Sequence, residues 1–123
     1  MLKILVAMVM FVSVSAFAAA PYCSVNSGGY CSYGGKVKNI YVNSGGIILL
    51  YFDTPMPESE TAKVGYSVSN FGVAGFKISD NPEFAKLFYS TALAAQASGR
   101  PVSIQMRGVI SGYLKFDRIW LAE

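Results

Sequence analysis

Histidine is absent from all 123 residues. That removes the usual general base near neutral pH, the Ser-His-Asp and Cys-His arrangements of nucleophilic catalysis, and the commonest metal ligand. Carboxylates are scarce as well: seven in the whole chain, close together in sequence only as Glu58/Glu60 and Asp80/Glu83. Glu58 and Glu60 fall in a polar loop, Pro55 to Thr61, where two glutamates are simply solvated. Asp80 and Glu83 have the spacing of a helix capping box. A glycosidase needs two carboxylates facing one bond, and neither pair asks for that reading. The expectation is a protein that is not an enzyme, with no cofactor and no metal.

Clustered charge is missing too. Ten Lys/Arg against seven Asp/Glu leave a net charge of +3, and the cations beyond Lys3 are scattered singly from Lys36 to Arg118. Without a basic stripe there is little support for a nucleic-acid groove or an anionic-lipid patch, so no nucleic-acid partner is expected. Nor is there an apolar run of the roughly 20 residues that a membrane-spanning helix needs.

A shorter apolar run opens the chain. Lys3 provides a positive start, Ile4 to Val14 are almost wholly apolar, and Ser15 to Ala20 are nearly all small. This is the three-part pattern of a secretory signal peptide, with an uncleaved anchor as the alternative. Residues 1–18 are read as the leader, with cleavage before Ala19, because cutting after Ala20 would put Pro21 at the scissile bond. The remaining protein is then a secreted or periplasmic domain of about 100 residues, enough for one core.

Cysteine is limited to Cys23 and Cys31. In an oxidising compartment an even count at close spacing reads as a disulfide, which would contribute about 2.5 kcal/mol by closing so short a loop. Residues 19–35 are therefore expected to form a disulfide-stapled N-terminal segment, and residues 36–123 the domain proper. The stretch Tyr22 to Gly35 (YCSVNSGGYCSYGG) lacks hydrophobic periodicity and reads as irregular. Tyrosine and serine on a glycine-rich backbone are what adaptable binding loops use, and the competing reading is a turn-rich arm with its tyrosines tucked against a sheet.

Further on, KVKNIYV, a turn at Asn43 to Gly46, and IILLYF read as a hairpin. The second run is apolar on both faces, as a strand covered on both sides would be. Lys63 to Ser69 and Gly72 to Ser79 alternate weakly around glycines, as one bent strand or two short ones. Asp80 as N-cap, Pro82 in the first turn and Gly99 as terminator predict a helix over 82–98, with Phe84, Leu87, Phe88, Thr91, Ala92 and Ala95 on its core face. Tyr89 and Leu93 lie on the opposite side and read as a subunit contact. Pro101 to Arg107 alternates cleanly, with Val102, Ile104 and Met106 on one face. In Tyr113 to Leu121 the apolar phase slips between Phe116 and Ile119, which predicts a bulge at Asp117-Arg118. Trp120 then faces away from Ile119, either as a ligand platform or as a ring at a subunit seam.

The sum is a mainly β chain with one helix. Its order matches an OB-fold-like five-stranded Greek-key barrel with the helix between strands 3 and 4, and the alternative is an open α+β sheet.

Residues 33–121 also resemble the B subunits of subtilase-cytotoxin-like and typhoid-toxin-like AB toxins. The resemblance rests on Tyr33-Gly34-Gly35-Lys36-Val37 at the approach to the first strand and on the helix running into Ala97-Ser98-Gly99-Arg100-Pro101-Val102-Ser103-Ile104. It implies a homo-oligomer, by resemblance a pentamer, a catalytic A subunit as partner, and sialylated host glycans as ligands. The family's sugar-binding serine and tyrosine correspond to Gly34 and Met106, and its cysteines lie elsewhere. The glycan-binding candidates are accordingly the neighbouring Asn26, Tyr30, Ser32 and Tyr33, which combine aromatic faces with hydroxyl and amide groups. Tyr89, Leu93 and Trp120 are the candidate interface. The functional expectation is a secreted non-enzymatic binding subunit. The alternative is an exported structural or protein-interaction domain, an inhibitor or an accessory protein, with no sugar site.

Overall fold

A computed structural model describes residues 9–10 and 20–121. The expected leader lies outside the described residues apart from Val9 and Met10. The chain is mainly β with one main helix, as its patterning indicates: seven strands form one mixed sheet. The elements run β1 (Tyr22–Ser24), β2 (Tyr30–Gly35), β3 (Val37–Val42), β4 (Ile47–Phe52), α1 (Glu58–Lys63), β5 (Val73–Lys77), α2 (Pro82–Ser98), β6 (Val102–Ile110) and β7 (Tyr113–Leu121). Hydrogen bonding orders the strands β1-β2-β6-β7-β5-β4-β3.

All pairings are antiparallel except β5 with β7, which is parallel. β2 and β3 are separated by Lys36 alone, yet β3 is one edge of the order and β2 lies next to the other edge. Two residues of chain reach only about 7 Å, so the sheet must curl to bring these strands together. Tyr33 locks that corner. Its ring stacks on Phe52 at 4.2 Å between centroids. Its hydroxyl lies 2.5 Å from the Lys36 carbonyl and 2.8 Å from Asp53 Oδ1, and accepts the Asp53 backbone N–H at 3.0 Å. The other carboxylate oxygen of Asp53 accepts the Lys36 N–H.

The expected hairpin is present. Asn43 closes its turn by accepting from Ile47 N through its side chain and from Gly46 N through its carbonyl, and Gly46 takes the positive φ the turn requires. Ile48, Leu49, Leu50 and Phe52 of β4 are buried, as befits a strand paired on both sides. Val102, Ile104 and Met106 point into the core, and the pairing skips Asp117, since Gln105 pairs with Arg118 and Met106 with Phe116. The predicted bulge is therefore where the apolar phase slips.

Helix α2 spans 82–98, but its start differs in detail. Asn81, not Asp80, is the N-cap: its side chain accepts from Phe84 N at 3.1 Å, while Asp80 ends a preceding 3-10 turn. Pro82 at the first helical position makes the residue before it the cap. The buried stripe is Ala85, Phe88, Ala92 and Ala95, narrower than expected, and Leu87 is 68% exposed. Alanines bring the helix close to the sheet, where Phe88 stacks on Phe116 at 3.6 Å.

Two further expectations are corrected. Tyr22 to Gly35 is not irregular: β1 and β2 form a hairpin in which Cys23 and Cys31 are directly paired and disulfide-bonded. The cystine occupies a core-facing register position, which supplies the apolar side chains that the sequence lacks there. The segment 63–69 is not a strand. Part of the presumed loop before it is α1, with Glu58 and Glu60 in its first turn and Lys63 in its last, matched to the helix dipole. Its turn buries Thr61 and carries Glu60, which accepts the Cys23 N–H and pairs with Lys63. Those two contacts hold the Glu60 carboxyl below its usual range, the lysine contributing more.

Candidate functional site

The four residues singled out as glycan contacts do not share a surface. Along β2, Cys31, Tyr33 and Gly35 point inward and Tyr30, Ser32 and Gly34 outward. Tyr33 is fully buried, so its ring has no surface to offer a ligand. Burial pushes its phenol well above the ordinary tyrosine range, and the neighbouring Asp53 carboxylate adds to the rise. Asn26 sits in a 3-10 turn, 26–28, between β1 and β2 and is exposed. Met106, at the position of the family's tyrosine, is also fully buried.

Tyr30 and Ser32 belong to a larger outer face made by β1, β2, β6 and β7. One row across it reads Tyr22, Ser32, Gln105, Arg118, each residue the register partner of the next. The adjacent row reads Gly34, Ser103, Trp120. Trp120 is 52% exposed and Tyr22 44%. A Cβ added at Gly34 would meet nothing within 4 Å, so the β2 end of the row that leads through Ser103 to Trp120 is open. The side-chain carbonyl of Gln105 is covered and has no hydrogen-bond partner, an unmet acceptor at the edge of this shelf.

Arg107 organises the other end. Its guanidinium lies over the Tyr30 ring at 5.6 Å, and its Nη1 donates to the carbonyls of Ser27 (2.7 Å) and Gly29 (3.3 Å). Tyr66 donates to the same Gly29 carbonyl, so the turn 26–29 is tied down from both sides. Tyr22 meets Tyr30 edge-on at 6.5 Å. The result is a supported aromatic pair next to the open shelf.

A cleft of 480 Å³ opens beyond Arg107, where the start of α2 faces β6 and β7. Phe76, Phe84 and Phe116 form its floor, with rings 5.0 to 6.4 Å apart, and Arg107, Lys115, Asp80 and Asp117 stand on its rim. Asp117 is bonded to Arg118 at 2.9 Å and lies 3.9 Å from Arg107. Lys115 places its ammonium over the Phe76 ring at 5.7 Å and has no carboxylate partner among the described residues. A second, mainly apolar groove of 330 Å³ runs between α2 and the sheet, with Val42, Ile48, Ile78 and Tyr89 on its walls.

Of the residues on this face, Tyr30 and Ser32 are among the sequence-derived glycan candidates and Trp120 among the interface candidates, whereas Tyr22, Ser103, Gln105 and the cleft are not singled out by the sequence. The alternation of β6 does separate Ser103, Gln105 and Arg107 from the core; what it lacks is the strand partner that puts them beside Ser32 and Trp120. Among the described residues no three His, Cys, Asp or Glu side chains gather as a metal site, and no helix is long and apolar enough to cross a membrane. Comparison with family models, curated proteins and solved structures finds no match for this chain.

Proposed function

We propose that this protein is a secreted, non-enzymatic carbohydrate-binding subunit built on an OB-fold, related in role to the toxin B subunits it resembles. The fold reading is supported by the curl of the sheet at Lys36. Taken as one bent strand, β2 and β3 join β4, β5, β6 and β7 as five long strands, with α2 between the third and fourth and a parallel pairing of the third and fifth.

The observation that carries the ligand reading is the shelf over Gly34 and Ser103. A sugar ring offers an apolar face of C–H groups and a rim of hydroxyls, so its receptor pairs an aromatic plane with planar polar side chains. Trp120 provides the plane, and Ser32 and Arg118 stand in the neighbouring row on either side of Gln105 as polar groups for the hydroxyls. Three of the acids have structural partners: Asp53 at the Tyr33 corner, Glu60 with Lys63 and Cys23, and Asp117 with Arg118.

Glycan-array binding of the purified protein, followed by titration of the best ligand, tests the proposal. Trp120→Ala should weaken binding about tenfold, the value of one stacked ring. Gly34→Leu should abolish it with little change in stability, because the added side chain enters open space. No glycan bound, or both variants binding like the wild type, would leave the other reading: an interaction domain with no sugar site.

A further inference from the structure

We propose that the cleft between the start of α2 and the β6-β7 hairpin is a second binding site, for a small carboxylate with an aromatic or aliphatic body. It is separate from the shelf over Gly34 and does not depend on the carbohydrate reading. Of the three rings of its floor Phe76 and Phe116 are buried in the core, and Phe84 of α2, partly exposed, is the one that offers apolar surface. Such a surface takes the hydrocarbon part of a ligand by burial. The volume of 480 Å³ accommodates a body of one ring or a short chain.

The rim selects the charge. Of its four charged groups, Asp117 is already paired with Arg118. Arg107 is fixed in position by the Ser27 and Gly29 carbonyls, which occupy Nη1, while its Nε lies 3.9 Å from the Asp117 carboxylate. Lys115 is held over Phe76 and carries no counter-ion among the described residues, although it is half-buried. Asp80 is exposed and is not the helix cap. With Asp117 matched by Arg118 outside the cleft, the lining keeps Arg107 and Lys115 against Asp80. A carboxylate at Lys115 gains a charge-assisted hydrogen bond, while its apolar remainder covers the open face of Phe84.

Phenylacetate and its neutral isostere phenylacetamide, titrated into the isotopically labelled protein and followed by amide chemical shifts, test the site. Phenylacetate should bind saturably with a dissociation constant on the order of 1 mM, as its few heavy atoms allow, and shift the signals of Asp80, Phe84, Lys115 and Phe116. Phenylacetamide should bind about tenfold more weakly, Lys115→Met should weaken phenylacetate by a similar factor, and Lys115→Arg should retain it. Circular dichroism confirms that each variant is folded. Equal binding of the amide, unchanged binding to Lys115→Met, or no saturable shift in the cleft would overturn the proposal.

Discussion

Tyr33 shows how one residue can be correctly singled out from sequence and wrongly employed. Its place in a Tyr- and Ser-rich stretch marks it as a contact residue, whereas alternation along β2 turns it inward, against Phe52. Nothing in the local sequence fixes that phase, because the glycines at 34 and 35 give no apolar signal of which face is buried. Its hydroxyl joins the two halves of the curled sheet through Lys36 and Asp53, so Tyr33→Phe should cost about 1–2 kcal/mol in urea unfolding by leaving those groups without their partner. The same group predicts an alkaline limit. The folded state holds the phenolic proton more tightly than the unfolded chain does, so its contribution is intact below about pH 10 and is lost as the pH rises beyond it. Wild type should therefore lose stability above about pH 10 faster than Tyr33→Phe. Parallel pH profiles of the two proteins would refute the assignment.

At the level of elements, the parts with strong periodicity were legible and those held by tertiary contacts were not. The β3-β4 hairpin, the alternation of β6, the bulge at Asp117 and the span of α2 all follow from apolar phase and turn residues. Helix α1 does not, since Thr61 is its only buried residue and a six-residue helix has no apolar period to read. The β1-β2 hairpin was hidden for a related reason: cystine, rather than Val or Ile, fills its inward positions. The start of α2 is a nearer miss, because Asp80 and Asn81 are both good caps and Pro82 decides between them. Asn81→Ala should accordingly lower stability by about 1 kcal/mol while Asp80→Ala changes it by less than about 0.5 kcal/mol. Thermal melts of the two variants decide the point, and the reverse ranking would restore Asp80 as the cap.

For the molecule as a whole, the mainly β class could be read from the sequence, but the arrangement of its surfaces could not. Spacing along one strand says which residues share a face; only the strand order puts Ser32 of β2 beside Gln105 of β6 and brings Val42 of β3 under Tyr89 of α2. That second meeting has a consequence for assembly. β3 is an edge strand with Tyr41 and Val42 exposed, α2 crosses it with Gln96 donating to the Lys38 carbonyl, and Tyr89 and Leu93 stand one turn apart on the helix. Single exposed apolar residues are ordinary, whereas an edge strand and a helix that set Val42 and Tyr89 at one apolar groove, with Leu93 exposed one turn further along the helix, offer a surface that a second copy of the chain could cover. The purified protein should therefore elute larger than a monomer in size-exclusion chromatography with light scattering, in a concentration-dependent manner. Tyr89→Glu puts a charge at the groove and should return it to the monomer without unfolding it, because that side chain is already 37% exposed. Glycan binding at the shelf over Gly34 should survive per subunit but lose its multivalent strengthening, by about 100-fold or more on a dense glycan surface. A wild type that is monomeric at every concentration would separate the two surfaces and leave the shelf to act alone.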